Sequence, residues 1–133
     1  MWEEVPVPSP GPTGVLCKML AAGVCRSDYS LLNVPMDKQP TWFQEQFTLG
    51  HEGCGEIIEL GEQVPNTNSD LKVGDVVALH AVPGCGSPEC PECSRDLSQL
   101  CEVGHHSGIG QDGFYAPYAV VDVRGVVSVP NGE

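Results

Sequence analysis

The sequence predicts a small, mainly β domain, an all-β barrel or sandwich. Three observations lead there. Short apolar segments alternate with turn residues at close spacing, the pattern of strands joined by tight connections. Glycine and proline together supply 28 of the 133 residues, 16 Gly and 12 Pro, which disfavours long helices and favours turns. Apolar residues make up 41% of the chain, enough for a packed core.

The elements follow in order. Pro6, Pro8, Pro10 and Pro12 make the lead-in extended. Gly14–Ala22 (GVLCKMLAA) is apolar and reads as a strand. Residues 25–32 suit one or two helical turns, with Ser27 or Asp28 as the cap. Residues 33–49 form a loop weighted with Trp42, Phe43 and Phe47, which either line a cleft or pack in the core. Gly53–Gly61 (GCGEIIELG) is a strand entered through two glycines. Pro65–Asp70 reads as a polar loop, and Val73–Leu79 as a turn into a strand. Residues 83–101 form an excursion rich in Cys, Pro and Gly. Phe114–Val121 and Val126–Val129 are late strands, and Pro130–Glu133 carries no pattern of a terminal element. No internal repeat or low-complexity tract is apparent.

Composition narrows the function. A net charge of −12 argues against nucleic acid and against anionic membrane surfaces, both of which need a basic face. No apolar run approaches the ~20 residues of a membrane span. The start, Met1-Trp-Glu-Glu4, is unlike a secretory signal. With seven cysteines, an odd number, and four of them crowded into residues 85–101, the expectation is metal in a reduced, cytoplasmic protein. The length suits one domain and is short for a catalytic domain plus a separate dinucleotide domain.

Cys85-x4-Cys90-x2-Cys93-x7-Cys101 offers four soft ligands on one short loop. Four thiolates suit tetrahedral Zn²⁺, and a site with no open position is structural. Gly84, Gly86, Pro88 and Pro91 allow the sharp turns that aim the sulfurs inward. The segment has almost no apolar residues, so a metal would replace a core. The alternative is free or disulfide-paired thiols, although Cys90 and Cys93 sit too close for most frameworks. Cys17 and Cys54 lie in strand-like apolar surroundings and read as small buried hydrophobes.

Cys25 and His51 lie at the edges of apolar segments, where sites gather. Each has a carboxylate nearby, Asp28 and Glu52, of the kind that orients a metal-bound imidazole. A catalytic zinc usually has three protein ligands and one open position. His80, His105 and His106 are candidate third ligands, but none has a supporting pattern. Gly108-Ile-Gly-Gln-Asp-Gly113 fits G-x-G-x-x-G, yet it follows the cysteine lobe and precedes a strand, whereas a dinucleotide fingerprint follows a strand and opens a helix. It reads as a turn with no cofactor role.

Taken together, the stretches Val15–Asp28, Gly50–Gly61, Val73–Val77, the cysteine lobe and Asp112–Val121 resemble the N-terminal catalytic domain of zinc-dependent medium-chain alcohol dehydrogenases. The resemblance implies a GroES-like, partly open β-barrel with a zinc-binding cysteine lobe, spanning residues 1–133. It implies that Cys25 and His51 are catalytic zinc ligands, with Glu52 beside the metal, Asp28 steadying His51 and Ser27 relaying the alcohol proton. Cys85, Cys90, Cys93 and Cys101 fall on the structural-zinc ligands. The implied reaction is oxidation of a small-molecule alcohol to an aldehyde or ketone, with NAD or NADP taking the hydride.

Three departures accompany this resemblance. The first lobe spacer has four residues where the family usually has two, Arg26 stands where it often has His, and its third catalytic ligand and nucleotide-binding Rossmann domain lie beyond residue 133. These residues alone are therefore expected to be inactive, with one tight zinc in the lobe and weak or absent metal at Cys25 and His51. An apolar face where a second domain docks leaves a homo-oligomer open. The competing reading is a naturally truncated, non-catalytic zinc-binding domain acting through protein contacts. A zinc-ribbon nucleic-acid binder fails on charge.

Overall fold

The computed structural model describes residues 3–129; the expectations for the first two residues and for residues 130–133 lie outside them. Five strands form one antiparallel sheet: β1 (Gly14–Ala22), β2 (Glu52–Leu60), β3 (Val76–His80), β4 (Tyr118–Asp122) and β5 (Val126–Ser128). Their spatial order is β4-β1-β2-β3-β5.

The chain connectivity forces this sheet to curl. β4 and β5 lie at opposite edges, yet only Val123–Gly125, a 3-10 turn, joins them. Five flat strands would put the edges about 19 Å apart, whereas four Cα steps reach only about 14 Å. The sheet therefore wraps into a partly open barrel, as expected. Two register irregularities between β1 and β2, at Leu16/Cys17 and Met19/Ala21, help it bend.

Inside the curl lies the core. Alternate residues point inward on β3 (Val77, Leu79) and β4 (Ala119, Val121), joined by Val15, Cys17, Ile57, Val126 and Phe114. Cys17 is fully buried, and burial pushes its thiol up to about 11, so it acts as an inert small hydrophobe.

Three sequence expectations need correction. Val64–Thr67 forms a short helix, α2, within what reads as a polar loop; Pro65 fits in its first turn because that N–H has no helical partner anyway. Phe114–Pro117 is not strand. The Phe114 and Tyr115 N–H groups donate to the Gly50 and Leu49 carbonyls, so pairing starts only at Tyr118. The helix at residues 25–32, α1 (Arg26–Leu32), is capped by neither Ser27 nor Asp28. Cys25 holds the cap position, and the Asp28 carboxylate reaches back to accept its N–H at 2.9 Å.

Asp122 ties the end of β4 to the lead-in. Its carboxylate accepts from Thr13 Oγ1 at 2.8 Å, Arg124 N at 3.0 Å and Arg124 Nε at 2.7 Å. Burial pushes this carboxyl up, but the hydrogen bonds and charge of Arg124 and the Thr13 bond outweigh it and hold the pKa below the usual value. A depressed folded pKa means the stabilisation is complete above the ordinary carboxylate range, near pH 4, and is lost as pH falls through the folded value. Asp122→Asn is expected to cost about 1–2 kcal/mol at pH 7. Measured by denaturant unfolding, the gap between variant and parent should narrow below about pH 4; a gap independent of pH would contradict this account.

Candidate functional site

Two clusters of metal-ligating side chains stand out among the described residues. The first is the cysteine lobe. Cys85, Cys90, Cys93 and Cys101 bring their Sγ atoms within 4.8 Å of one another. Cys85 and Cys93 are 3.7 Å apart and Cys90 and Cys101 3.8 Å. A tetrahedral metal with bonds of about 2.3 Å needs sulfurs about 3.8 Å apart. The lobe therefore fits a tetrathiolate metal, and the two extra spacer residues do not disturb it. All four thiols are free in this structure. Gly84 (φ +74°) and Gly86 (φ +66°) take left-handed conformations that turn the chain around Cys85.

The second cluster joins Cys25, at the start of α1, to His51 and Glu52, at the start of β2, with ligand atoms also within 4.8 Å. Ser27 Oγ sits between the two non-carboxylate ligands, 3.0 Å from Cys25 Sγ and 3.2 Å from His51 Nε2. His51 Nδ1 faces Asp28 Oδ1 at 3.2 Å, which leaves Nε2 directed at the cluster. His80, His105 and His106 belong to neither cluster; Glu52 is the third residue of the second one.

Tyr115 is the residue that sequence reasoning missed. Its hydroxyl donates to Asp28 Oδ2 at 2.7 Å and lies 2.9 Å from the Gly23 carbonyl oxygen. Burial, then the Asp28 carboxylate, pushes Tyr115 up to about 12, so it stays a donor. Burial alone would raise the Asp28 carboxyl. The Tyr115 and Cys25 hydrogen bonds, the His51 charge and the Gly50 N–H hold it below its usual value instead. Asp28 is thus a fixed anion, buried behind His51. The partners lie 87 residues apart, and no local signal links them.

The G-x-G-x-x-G turn has a structural role, as expected. Gly108 (φ +73°) donates to the Gln111 carbonyl, and Gly113 N donates to the Thr48 carbonyl at 2.8 Å. A Cβ at Gly108 or Gly113 would collide with the Gly50 carbonyl oxygen. The turn buttresses the segment that presents His51. Trp42 packs on Phe43 and His106 (centroids 4.6 and 4.8 Å), and Phe43 on Phe47 (5.8 Å). Trp42 and His106 border an open depression of about 430 Å³ beside Cys101, so Trp42 sits against the cysteine lobe.

Residues 11–131 match the alcohol dehydrogenase GroES-like domain family. The chain belongs to this family, the GroES-like domain of zinc-dependent medium-chain alcohol dehydrogenases. The GroES-like domain is 37% identical to an alcohol dehydrogenase of Rhizobium meliloti over 96% of the chain and 35% of that protein. It is 34% identical to an L-threonine 3-dehydrogenase of Pyrococcus furiosus, over 96% of the chain and 34% of that protein. Among solved structures it resembles a zinc-binding dehydrogenase from Sinorhizobium meliloti bound to NADP, with TM-score 0.78 and 32% identity, covering 96% of the chain and 34% of the neighbour. The chain thus spans about a third of the length of the curated relatives it matches. No helix among the described residues is long and apolar enough to cross a membrane.

Proposed function

We propose that residues 1–133 are the catalytic GroES-like part of a zinc-dependent, NAD(P)-linked alcohol dehydrogenase that oxidises a small-molecule alcohol to an aldehyde or ketone in the cytoplasm. The observation that carries this reading is the convergence of Cys25, Ser27, His51 and Glu52, backed by Asp28 and Tyr115. Relatives named as alcohol and threonine dehydrogenases, and a neighbour bound to NADP, support it.

Cys25 and His51 would hold the catalytic zinc with Glu52 beside it, and the four lobe cysteines the structural one. Zinc, when bound, supplies a Lewis acid that makes the alcohol proton easier to remove. Ser27 would take that proton, a role supported by a hydroxyl that lies within 3.2 Å of both the thiol and the imidazole. Asp28 holds the His51 ring with Nε2 facing the cluster, and Tyr115 holds Asp28. The nicotinamide would be bound by a nucleotide-binding domain in a longer parent protein.

Two measurements on the purified chain test the reading. Metal analysis is expected to find one zinc that resists chelation and a second held weakly, the second lost in Cys25→Ser. Incubation with NAD or NADP and a series of alcohols is expected to give no turnover. Two equally tight zincs that survive Cys25→Ser, or saturable NAD(P)H formation by the chain alone, would overturn it.

A further inference from the structure

We infer that Arg124 is a positioning residue for the cysteine lobe, a cation brought from the barrel to balance the negative charge of the metal-loaded site. The inference rests on the lobe as a tetrathiolate metal site. Four thiolates around a divalent ion leave a net charge of −2. The surrounding segment, residues 84–104, adds Glu89, Glu92, Asp96 and Glu102 against a single base, Arg95. Glu92 lies close in, its Oε2 at 3.2 Å from Cys90 Sγ. Arg95 is exposed, with its Nε donating to the Pro91 carbonyl at 2.7 Å. The lobe by itself is thus an acidic loop asked to gather more negative charge.

Arg124 comes from the turn between β4 and β5, outside the lobe. Its guanidinium lies across Gly86, the first residue of the Cys85–Cys90 spacer, so closely that any Cβ there would collide with Nη1. The left-handed Gly86 and the arginine fit each other: the missing side chain is the space the guanidinium fills. Asp122 fixes the other end, accepting Arg124 Nε at 2.7 Å, and is itself held by Thr13. After the Asp122 hydrogen bond and against partial burial, the Cys85 and Cys93 sulfurs also favour the charged guanidinium. A chain of contacts therefore runs Thr13–Asp122–Arg124–Gly86 from the barrel to the lobe. Such outer partners tune metal affinity without touching the metal.

The test is zinc transfer from the whole chain to a chromophoric chelator, at low and high ionic strength, for the parent, Arg124→Gln and Arg124→Lys. Arg124→Gln is expected to hold its lobe zinc about 10-fold more weakly. The difference should shrink at high salt, because the interaction is charge-based and partly exposed. Arg124→Lys keeps the charge and should recover most of the affinity. A glutamine variant that holds zinc as tightly as the parent overturns the inference, and so does a lysine variant as weak as the glutamine one. Failure of the underlying site is separate and visible, since the parent chain would then take up no tightly held zinc at all.

Discussion

Cys90→Ser is expected to empty the lobe of metal and unfold residues 84–104 while the barrel stays folded. The lobe has no apolar core of its own. Leu100 is 59% exposed and Val103 79%, and Cys101 is its only fully buried side chain from a hydrophobic residue. Its two 3-10 turns, Cys93–Arg95 and Ser98–Leu100, are single turns that are marginal without tertiary support. Metal binding is worth roughly 10–16 kcal/mol in structural zinc sites, and here it would replace hydrophobic burial. Serine removes one thiolate and leaves a weak donor. Zinc content should fall by one per chain, and trypsin should cut rapidly after Arg95, the base inside the lobe. Cys25→Ser is the contrast: it sits at a helix cap beside the barrel and should leave both Arg95 resistance and melting temperature nearly unchanged. A Cys90→Ser chain that keeps its zinc and its resistance would refute the metal-organised lobe.

Phe114→Ala carries the other large effect. The ring is 1% exposed and is the largest fully buried side chain among the described residues. Removing it costs the transfer energy of the ring plus the cavity left behind, about 3–5 kcal/mol, or roughly 10–20 °C in melting temperature. The cavity would open under the site. Phe114 N donates to the Gly50 carbonyl at 2.9 Å, and its ring packs so closely on Gly53 that a Cβ there would come within 2.9 Å. His51 and Glu52 lie between those two glycines. The weaker zinc should therefore be lost in Phe114→Ala even at temperatures where the barrel remains folded. Phe114→Leu refills part of the space and should recover at least half of the stability. A loss below about 1 kcal/mol for the alanine variant would show that the ring does not carry the core at this point.

Much of the fold was legible along the chain. β1 and β2 were readable to within a residue because a glycine lies at or next to the start of each and apolar residues of strand type follow. The error at Phe114–Pro117 has a clear cause. Those residues have strand composition, but their N–H groups are taken by the Gly50 loop, a pairing set by tertiary contact. The same holds at Cys25, which is a poor capping residue by type. It occupies the cap with Asp28 closing back on its N–H, while Ser27 is directed to His51.

By itself the sequence determined the short-range parts of this protein: the turn-rich β architecture and the cysteine lobe. These depend on spacing within about twenty residues, and local chain geometry limits what such spacing can do. Tertiary structure alone decided how closely the Glu52, Cys25 and His51 donor atoms approach, within 4.8 Å, that Tyr115 fixes Asp28 across 87 residues, and that Arg124 reaches Gly86. The first two follow from which strands and loops are neighbours, with Ala22 paired to Gly53 and Tyr118 to Lys18, and the third from the curl that lets the Val123–Gly125 turn join the two sheet edges. Curvature is a property of the packed core as a whole, so no local motif records it.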